Sequence, residues 1–342
     1  MGNRLLVALL AFPLIAADLR IGVLSLFRPE RITVRSTEML WVQAGSRTFF
    51  LTPGQVAGLR AVGSEVDLFA QQQLSSSPRV IIGGRGGASA VFSLTIEGKI
   101  DRKFRGRLEV TAIGSRLEPV ILVDAESAVA AAVAAEMPAG TPPEALKAMA
   151  VLVRSYYAFS GRRHGPYDFC DTTHCQWRRE SIADSHPATA AARVTSGVVM
   201  TYRDRPFAPM YHASCGGQTK RAIDVGFDPD PYPYFPIDCD WCKAKSPQWN
   251  RRLAAEIASA LPGTLSESLR MTIVRQLGWS ALPSNNYRAW KEGEEVVVEG
   301  RGEGHGVGVC QRGMIAMSKD GHTFRSLLSH YLPQTRTTDG PE

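Results

Sequence analysis

Residues 134–157 read AAEMPAGTPPEALKAMAVLVRSYY, and the rest of the chain is organised around this stretch. An alanine-rich run from Glu126 predicts a helix, and Met137-Pro138 stops it near Glu136, since proline has no N–H to donate and disfavours helical backbone before it. Thr141-Pro142-Pro143-Glu144 reads as a capping box with proline at the first helical position, so a second helix starts there. Along it Leu146, Ala150, Val153 and Tyr157 recur at helical spacing and form a buried face. Lys147 and Arg154, seven positions apart, share another face. The expected arrangement is one carboxylate, Glu136, at a helix end, facing two cations across a short loop.

Composition bounds the class. The 342 residues are 44% hydrophobic and 21% charged, enough apolar content for one large or two moderate globular domains. Net charge is +6 and spread out, without the Lys/Arg blocks or aromatic-basic interleaving of a nucleic-acid binder. A weakly basic surface suits an anionic polymer. The N-terminus carries Arg4, an apolar run from Leu5 to Ala16 and small residues at Ala16 and Ala17, the layout of a secretory signal peptide over residues 1–17. The run is short for a membrane span, so any membrane contact is expected only through an uncleaved signal segment. The expected location is outside the cytoplasm: periplasm, cell envelope or extracellular space.

From Leu19 to about Val120, short alternating runs such as RITVRS, AVFSLTIEG and GRLEVTAIG predict strands of a mostly antiparallel assembly. Gly83-Gly84-Arg85-Gly86-Gly87 lies between two of them and reads as a turn, not a phosphate-binding loop, because no helix follows it. The fold class read from the sequence is therefore α+β: a β-rich region over residues 18–117, then a domain with a helical core and strands over 118–335.

Between the helical core and the next helix, the loop from Gly161 places His164, Cys170, His174 and Cys175 within a dozen residues. Two imidazoles and two thiolates are a donor set that structural zinc prefers, whereas in an exported chain the two cysteines could instead pair as a disulfide. The other cysteines are Cys215, Cys239, Cys242 and Cys310, and the sequence does not choose among their pairings. Gly300-Arg301-Gly302-Glu303-Gly304-His305-Gly306-Val307-Gly308 alternates glycine with other residues. Val307 stands where a dinucleotide fingerprint needs its third glycine, so the run implies close backbone approach instead.

Three segments, EMP...PEALKAMAVLVRSYYAF, MYHASCGGQT (Met210 to Thr219) and GRGEGHGVGVCQRGMIAMSKDG (Gly300 to Gly321), resemble the SpoIID/LytB family of bacterial cell-wall proteins, in which the first reads roughly EMP...EALKAQAVAARTYA. The resemblance implies that Glu136 is the catalytic acid. It also implies that the second block lies beside the cleft, with Tyr211, His212, Ser214 and Thr219 contacting sugar or fixing the cleft wall, and that the third block, with His305 and Gln311, lies against the Glu136 helix. Some relatives hold zinc with a His, Cys, His, Cys set in the loop that here carries His164, Cys170, His174 and Cys175.

The function expected from these residues is a peptidoglycan lytic transglycosylase acting on glycan strands. Ordinary glycosidases need two carboxylates. A lytic transglycosylase uses the muramyl sugar's own C6 hydroxyl as nucleophile, so one acid suffices. Lys147 and Arg154 would lower the pKa of that acid unless they are turned toward substrate anions, and the second is the expectation. The alternative from another class is a non-catalytic cell-wall binding protein that enhances an amidase. Zinc is the only cofactor expected, in a structural role; the expected partners are glycan strands and a cell-wall amidase, with no nucleic acid.

Overall fold

The computed structural model describes residues 18–70, 72–162, 164–175, 181–262 and 266–338. The segment read as a signal peptide lies outside them. The chain divides into two compact units, Met1–Ala128 with His164–Cys170, and Val129–Arg163 with Asp171–Glu342.

The first unit is built on one twelve-stranded sheet, from Leu19–Gly22 to Arg116–Val123 with the short strand Phe169–Cys170 added. Alternation sets its faces. In Ala90–Ile96 every second side chain (Ala90, Phe92, Leu94, Ile96) is buried, as a period of two requires for a strand with one face inward. The strand Ile100–Ile113 pairs with Ala90–Ile96 along its first half and with Arg116–Val123 along its second. The switch falls at Gly106, at φ +142°, where an added Cβ would lie 2.4 Å from the Leu122 carbonyl oxygen. Only glycine admits that bend and that approach. The expected boundary between 117 and 118 falls inside the strand Arg116–Val123, which continues this sheet. The glycine-rich turn is a single tight turn over Arg85–Gly87.

In the second unit the helical core follows the sequence reading in outline. Helix α1 (Ala125–Glu136) crosses from the first unit into the second and ends at the expected acid; its stretch from Ala128 to Val133 is wholly buried. Helix α2 (Pro143–Phe159) is apolar around most of its surface, with Ala145, Leu146, Met149, Val151, Leu152 and Val153 all buried. The capping box does not form. Pro142 is the N-cap, with no side-chain cap bond, and the Thr141 hydroxyl donates instead to the Pro138 carbonyl at 2.7 Å. Glu144 serves a different helix, as described below.

Helix α3 (Pro187–Val194) follows, capped by His186, whose Nδ1 accepts from the Ala188 N–H. Helix α4 (Asp240–Lys245) leads into an antiparallel sheet of Gln248–Ala254, Tyr287–Glu292 and Glu295–Arg301. Helices α5 (Ala255–Ala258) and α6 (Glu267–Leu277) close over that sheet with Trp249, Leu253, Ile273, Val274, Val296 and Val298 as its core. Helices α7 (Gln311–Lys319) and α8 (Phe324–Tyr331) both pack on α2. The Glu144 carboxylate accepts from the Phe324 N–H at 2.7 Å, so an acid on α2 caps the first turn of α8, where the helix dipole favours negative charge.

Candidate functional site

Glu136 stands at the C-terminal end of α1, partly accessible to solvent. The backbone there is held by the Met137 N–H to Val133 carbonyl bond, and Pro138 cannot extend the helix. Burial raises the Glu136 pKa to about 7, and hydrogen bonds from Gln311 and Tyr211 offset only part of that rise. Gln311 Nε2 donates to Glu136 Oε2 at 3.3 Å and lies 3.5 Å from the Glu136 carbonyl oxygen. No ionised group is among the causes of the shift. A carboxyl with a pKa near neutrality can both give and recover a proton at neutral pH, which is what a lone acid/base needs.

The wall beside it comes from two of the segments singled out in the sequence. Tyr211–His212 pairs in parallel with Val309–Cys310, so the second and third blocks meet directly. Their closeness depends on glycine. An added Cβ at Gly308 (φ +76°) would sit 2.0 Å from the Met210 carbonyl oxygen, and one at Gly302 (φ +85°) would sit 2.4 Å from that of Ser214. The alternating glycines thus let backbone lie on backbone, as their pattern implies. Asn285 N–H to Gly304 O and Gly304 N–H to Pro283 O fasten the loop from behind.

His212 and His305 stand in this wall as neutral rings. His212 Nδ1 donates to the Val307 carbonyl at 3.0 Å; burial, helped by His305, drives its pKa to about 3. His305 is pushed to about 4 by burial and by Arg270, and its Nδ1 accepts from the Val307 N–H at 3.1 Å. The rings meet edge to face, 5.6 Å between centroids. Ser214 is buried against Ser246 (2.9 Å), and buried Thr219 donates to Phe235 O and accepts from the Ile237 N–H. Of the residues tied to sugar contact in the second block, His212, Ser214 and Thr219 are therefore packed into the wall, and Tyr211 stands at the carboxylate.

The two cations are placed otherwise than expected. Lys147 pairs with Glu144 on its own helix at 2.6 Å. Arg154 is 1% exposed and donates to Ala192 O at 2.9 Å, to Val198 O at 3.2 Å and to Thr195 Oγ1. It ties α2 to the C-terminal end of α3, where a cation also suits the helix dipole. Because α2 is buried on most sides, a seven-residue spacing along it does not mark a solvent face. The expectation that Arg154 meets substrate is thus corrected, and burial rather than a cation sets the state of Glu136.

Some supporting groups carry no obvious sequence signal. Glu144 has its pKa pulled up by burial, but hydrogen bonds from Lys147 and the Phe324 N–H prevail and leave it below the usual glutamate value. Glu267 and Arg270 form a buried two-pronged pair at 2.7 Å, and Asn285 donates to the same carboxylate. An acid and an arginine three apart on a helix read as an ordinary surface pair until their burial is known. Half-buried Lys220, its pKa lowered mainly by burial, runs along Gly306 of the His305 loop.

His164 and Cys170 belong to the first unit and His174 and Cys175 to the second, the division passing between Cys170 and Asp171. Within the second, His174 Nδ1 lies 3.5 Å from Cys175 Sγ.

Residues 114–202, which hold α1, Glu136, α2 and α3, match the family model described as SpoIID, Stage II sporulation protein. Stage II sporulation protein D of Bacillus subtilis is 25% identical over 256 residues, 63% of this chain and 74% of that protein. Its namesake in Bacillus amyloliquefaciens is 22% identical over 249 residues, 60% of this chain and 72% of that protein. An uncharacterized protein of Brachyspira hyodysenteriae is 26% identical over 227 residues, and the chain spans 61% of its length. Over residues 114–202 the chain is thus similar to the SpoIID family, and the similarity to the two Stage II sporulation proteins D extends beyond that segment. Among the described residues no helix is long and apolar enough to cross a membrane.

Proposed function

We propose that this protein is an exported peptidoglycan lytic transglycosylase with Glu136 as its general acid and base. The observation that carries the reading is a single carboxyl raised to about 7 by burial and held by Gln311. In this reaction Glu136 protonates the bridging oxygen as the bond from the N-acetylmuramic acid C1 to that oxygen breaks, freeing the N-acetylglucosamine hydroxyl. The muramyl C6 hydroxyl then attacks C1, returns its proton to Glu136 and closes the 1,6-anhydro ring. No water is consumed and no second carboxylate is needed, because the nucleophile is already attached to the substrate. Tyr211 and Gln311 orient the carboxylate.

In the same proposal His164, Cys170, His174 and Cys175 would hold a structural zinc. Its donor set, two imidazoles and two buried thiols, fits a closed structural site that would order the loop and take no part in bond cleavage.

Purified glycan strands incubated with the protein and analysed by mass test the reading. Fragments ending in anhydro-muramyl residues are expected, each with the mass of unhydrated cleavage. Glycan that is bound but uncut, with an added amidase stimulated, would replace this proposal with an amidase enhancer.

A further inference from the structure

The sequence leaves Cys215, Cys239, Cys242 and Cys310 without a role, and the fold brings all four to one point of the second unit. Cys215 follows the Tyr211–His212 strand, Cys239 and Cys242 form a Cys-x-x-Cys turn at the start of α4, and Cys310 closes the Val309–Cys310 strand as N-cap of α7. Each is at most 3% exposed. Their four sulfurs all lie within 4.8 Å of one another, with Cys242 Sγ 3.5 Å from Cys310 Sγ. Four thiolates around one zinc at about 2.3 Å occupy the corners of a tetrahedron whose edge is about 3.8 Å. A disulfide would draw two sulfurs to about 2.05 Å and would not by itself collect four.

We propose that these four cysteines form a closed tetrahedral zinc site, separate from the His164 to Cys175 loop. On binding, four thiols give up their protons and one divalent ion enters, leaving a doubly negative centre that needs donors around it. Donors surround it. The Cys215 N–H lies on Cys310 Sγ at 3.4 Å, the Tyr331 hydroxyl is 3.4 Å from Cys239 Sγ and the Ser214 hydroxyl is 3.5 Å from Cys242 Sγ. Such outer contacts fix and tune thiolate ligands. Gly313 makes room for them, since a Cβ there would meet the Tyr331 hydroxyl oxygen at 2.0 Å and Cys239 Sγ at 2.5 Å. A glycine inside a helix is otherwise unfavourable.

The site clamps together three separate segments of the second unit, the two that form the wall and the start of α4. Cys310 immediately precedes Gln311, which holds Glu136, and Cys215 immediately follows the Tyr211 to Ser214 segment. The role is positional: with four protein ligands the metal has no open position for chemistry.

Elemental analysis and unreduced intact mass of the full chain test this, alongside a loop variant (His174→Ala with Cys175→Ser) and Cys239→Ser. The loop variant should keep one zinc per chain and, with cobalt substituted, show the absorption of a tetrahedral cobalt-thiolate centre. Cys239→Ser should lose one zinc relative to the parent. Should that variant not fold, titration of the loop variant with a mercurial still decides: zinc should leave in step with modification of four thiols. A loop variant that is folded without zinc, or an unreduced mass showing two disulfides among these four residues, overturns the proposal.

Discussion

Gln311 Nε2 donates to Glu136 Oε2 across 3.3 Å, joining the last residue of α1 to the first residue of α7 over a separation of 175 positions. The partner is uncharged, so it fixes the carboxyl and lowers its pKa by a hydrogen bond alone, which offsets only part of the rise from burial. Burial can then hold the acid near neutrality, which a lysine or arginine in the same place would prevent.

Glu136→Gln should remove glycan cleavage by at least the factor of about 10²–10⁴ that a positioned acid/base supplies. The amide keeps the shape but cannot donate and recover the proton. Glycan binding, measured by co-sedimentation, should persist. Turnover close to the parent rate would exclude Glu136 as the catalyst.

The raised pKa also makes a stability prediction with a definite sign. A carboxyl whose folded pKa lies above its usual 4.5 stabilises the fold fully below that value, and the contribution is lost as pH rises through about 7. The melting temperature of the parent should therefore fall relative to Glu136→Gln between about pH 4.5 and 7 and run parallel to it at higher pH. Parallel melting curves across that whole window would show that Glu136 is not buried enough to be raised.

Gln311→Leu takes away a donor that favours the ionised carboxylate, so the pKa of Glu136 should rise further. The alkaline limb of the cleavage profile should move to higher pH, while the acid-side rate falls because the carboxyl is less well oriented. A pure loss of rate with the limb unmoved would mean that Gln311 only packs there.

How far these features could be read from sequence depends on whether their causes are local. Glu136 at a helix end was legible because Pro138 follows two positions later, and the packing of residues 300–308 was legible because alternate glycines have few other uses. The capping box was not. Thr141 and Glu144 have the right types and spacing, yet Glu144 bonds Phe324, 180 positions away, a competitor no local pattern reveals. Convergence of Cys215, Cys239, Cys242 and Cys310 is likewise tertiary. Arg154 misled for a related reason: charge on a helix suggests solvent, but α2 is enclosed and its arginine is satisfied by the end of another helix.

That placement of Arg154 gives a prediction opposite to the one its charge suggests. Replacing it with alanine strips charged donors from Ala192 O, Val198 O and Thr195 Oγ1 in an interior that water does not readily enter. Each buried acceptor left without a partner costs about 1–3 kcal/mol, and partial rehydration through the new cavity returns some of that, so a net loss of about 3 kcal/mol is expected. Arg154→Lys should fall between, because one ammonium on a flexible stem cannot span acceptors that a planar guanidinium reaches together. Urea unfolding of the three proteins measures the order. The pH dependence of cleavage should stay where it is in whatever folded fraction remains, since Arg154 is not among the groups that set the Glu136 pKa. An Arg154→Ala protein with parental stability and weakened glycan binding would restore the substrate-facing arginine and displace the structural role argued from its burial.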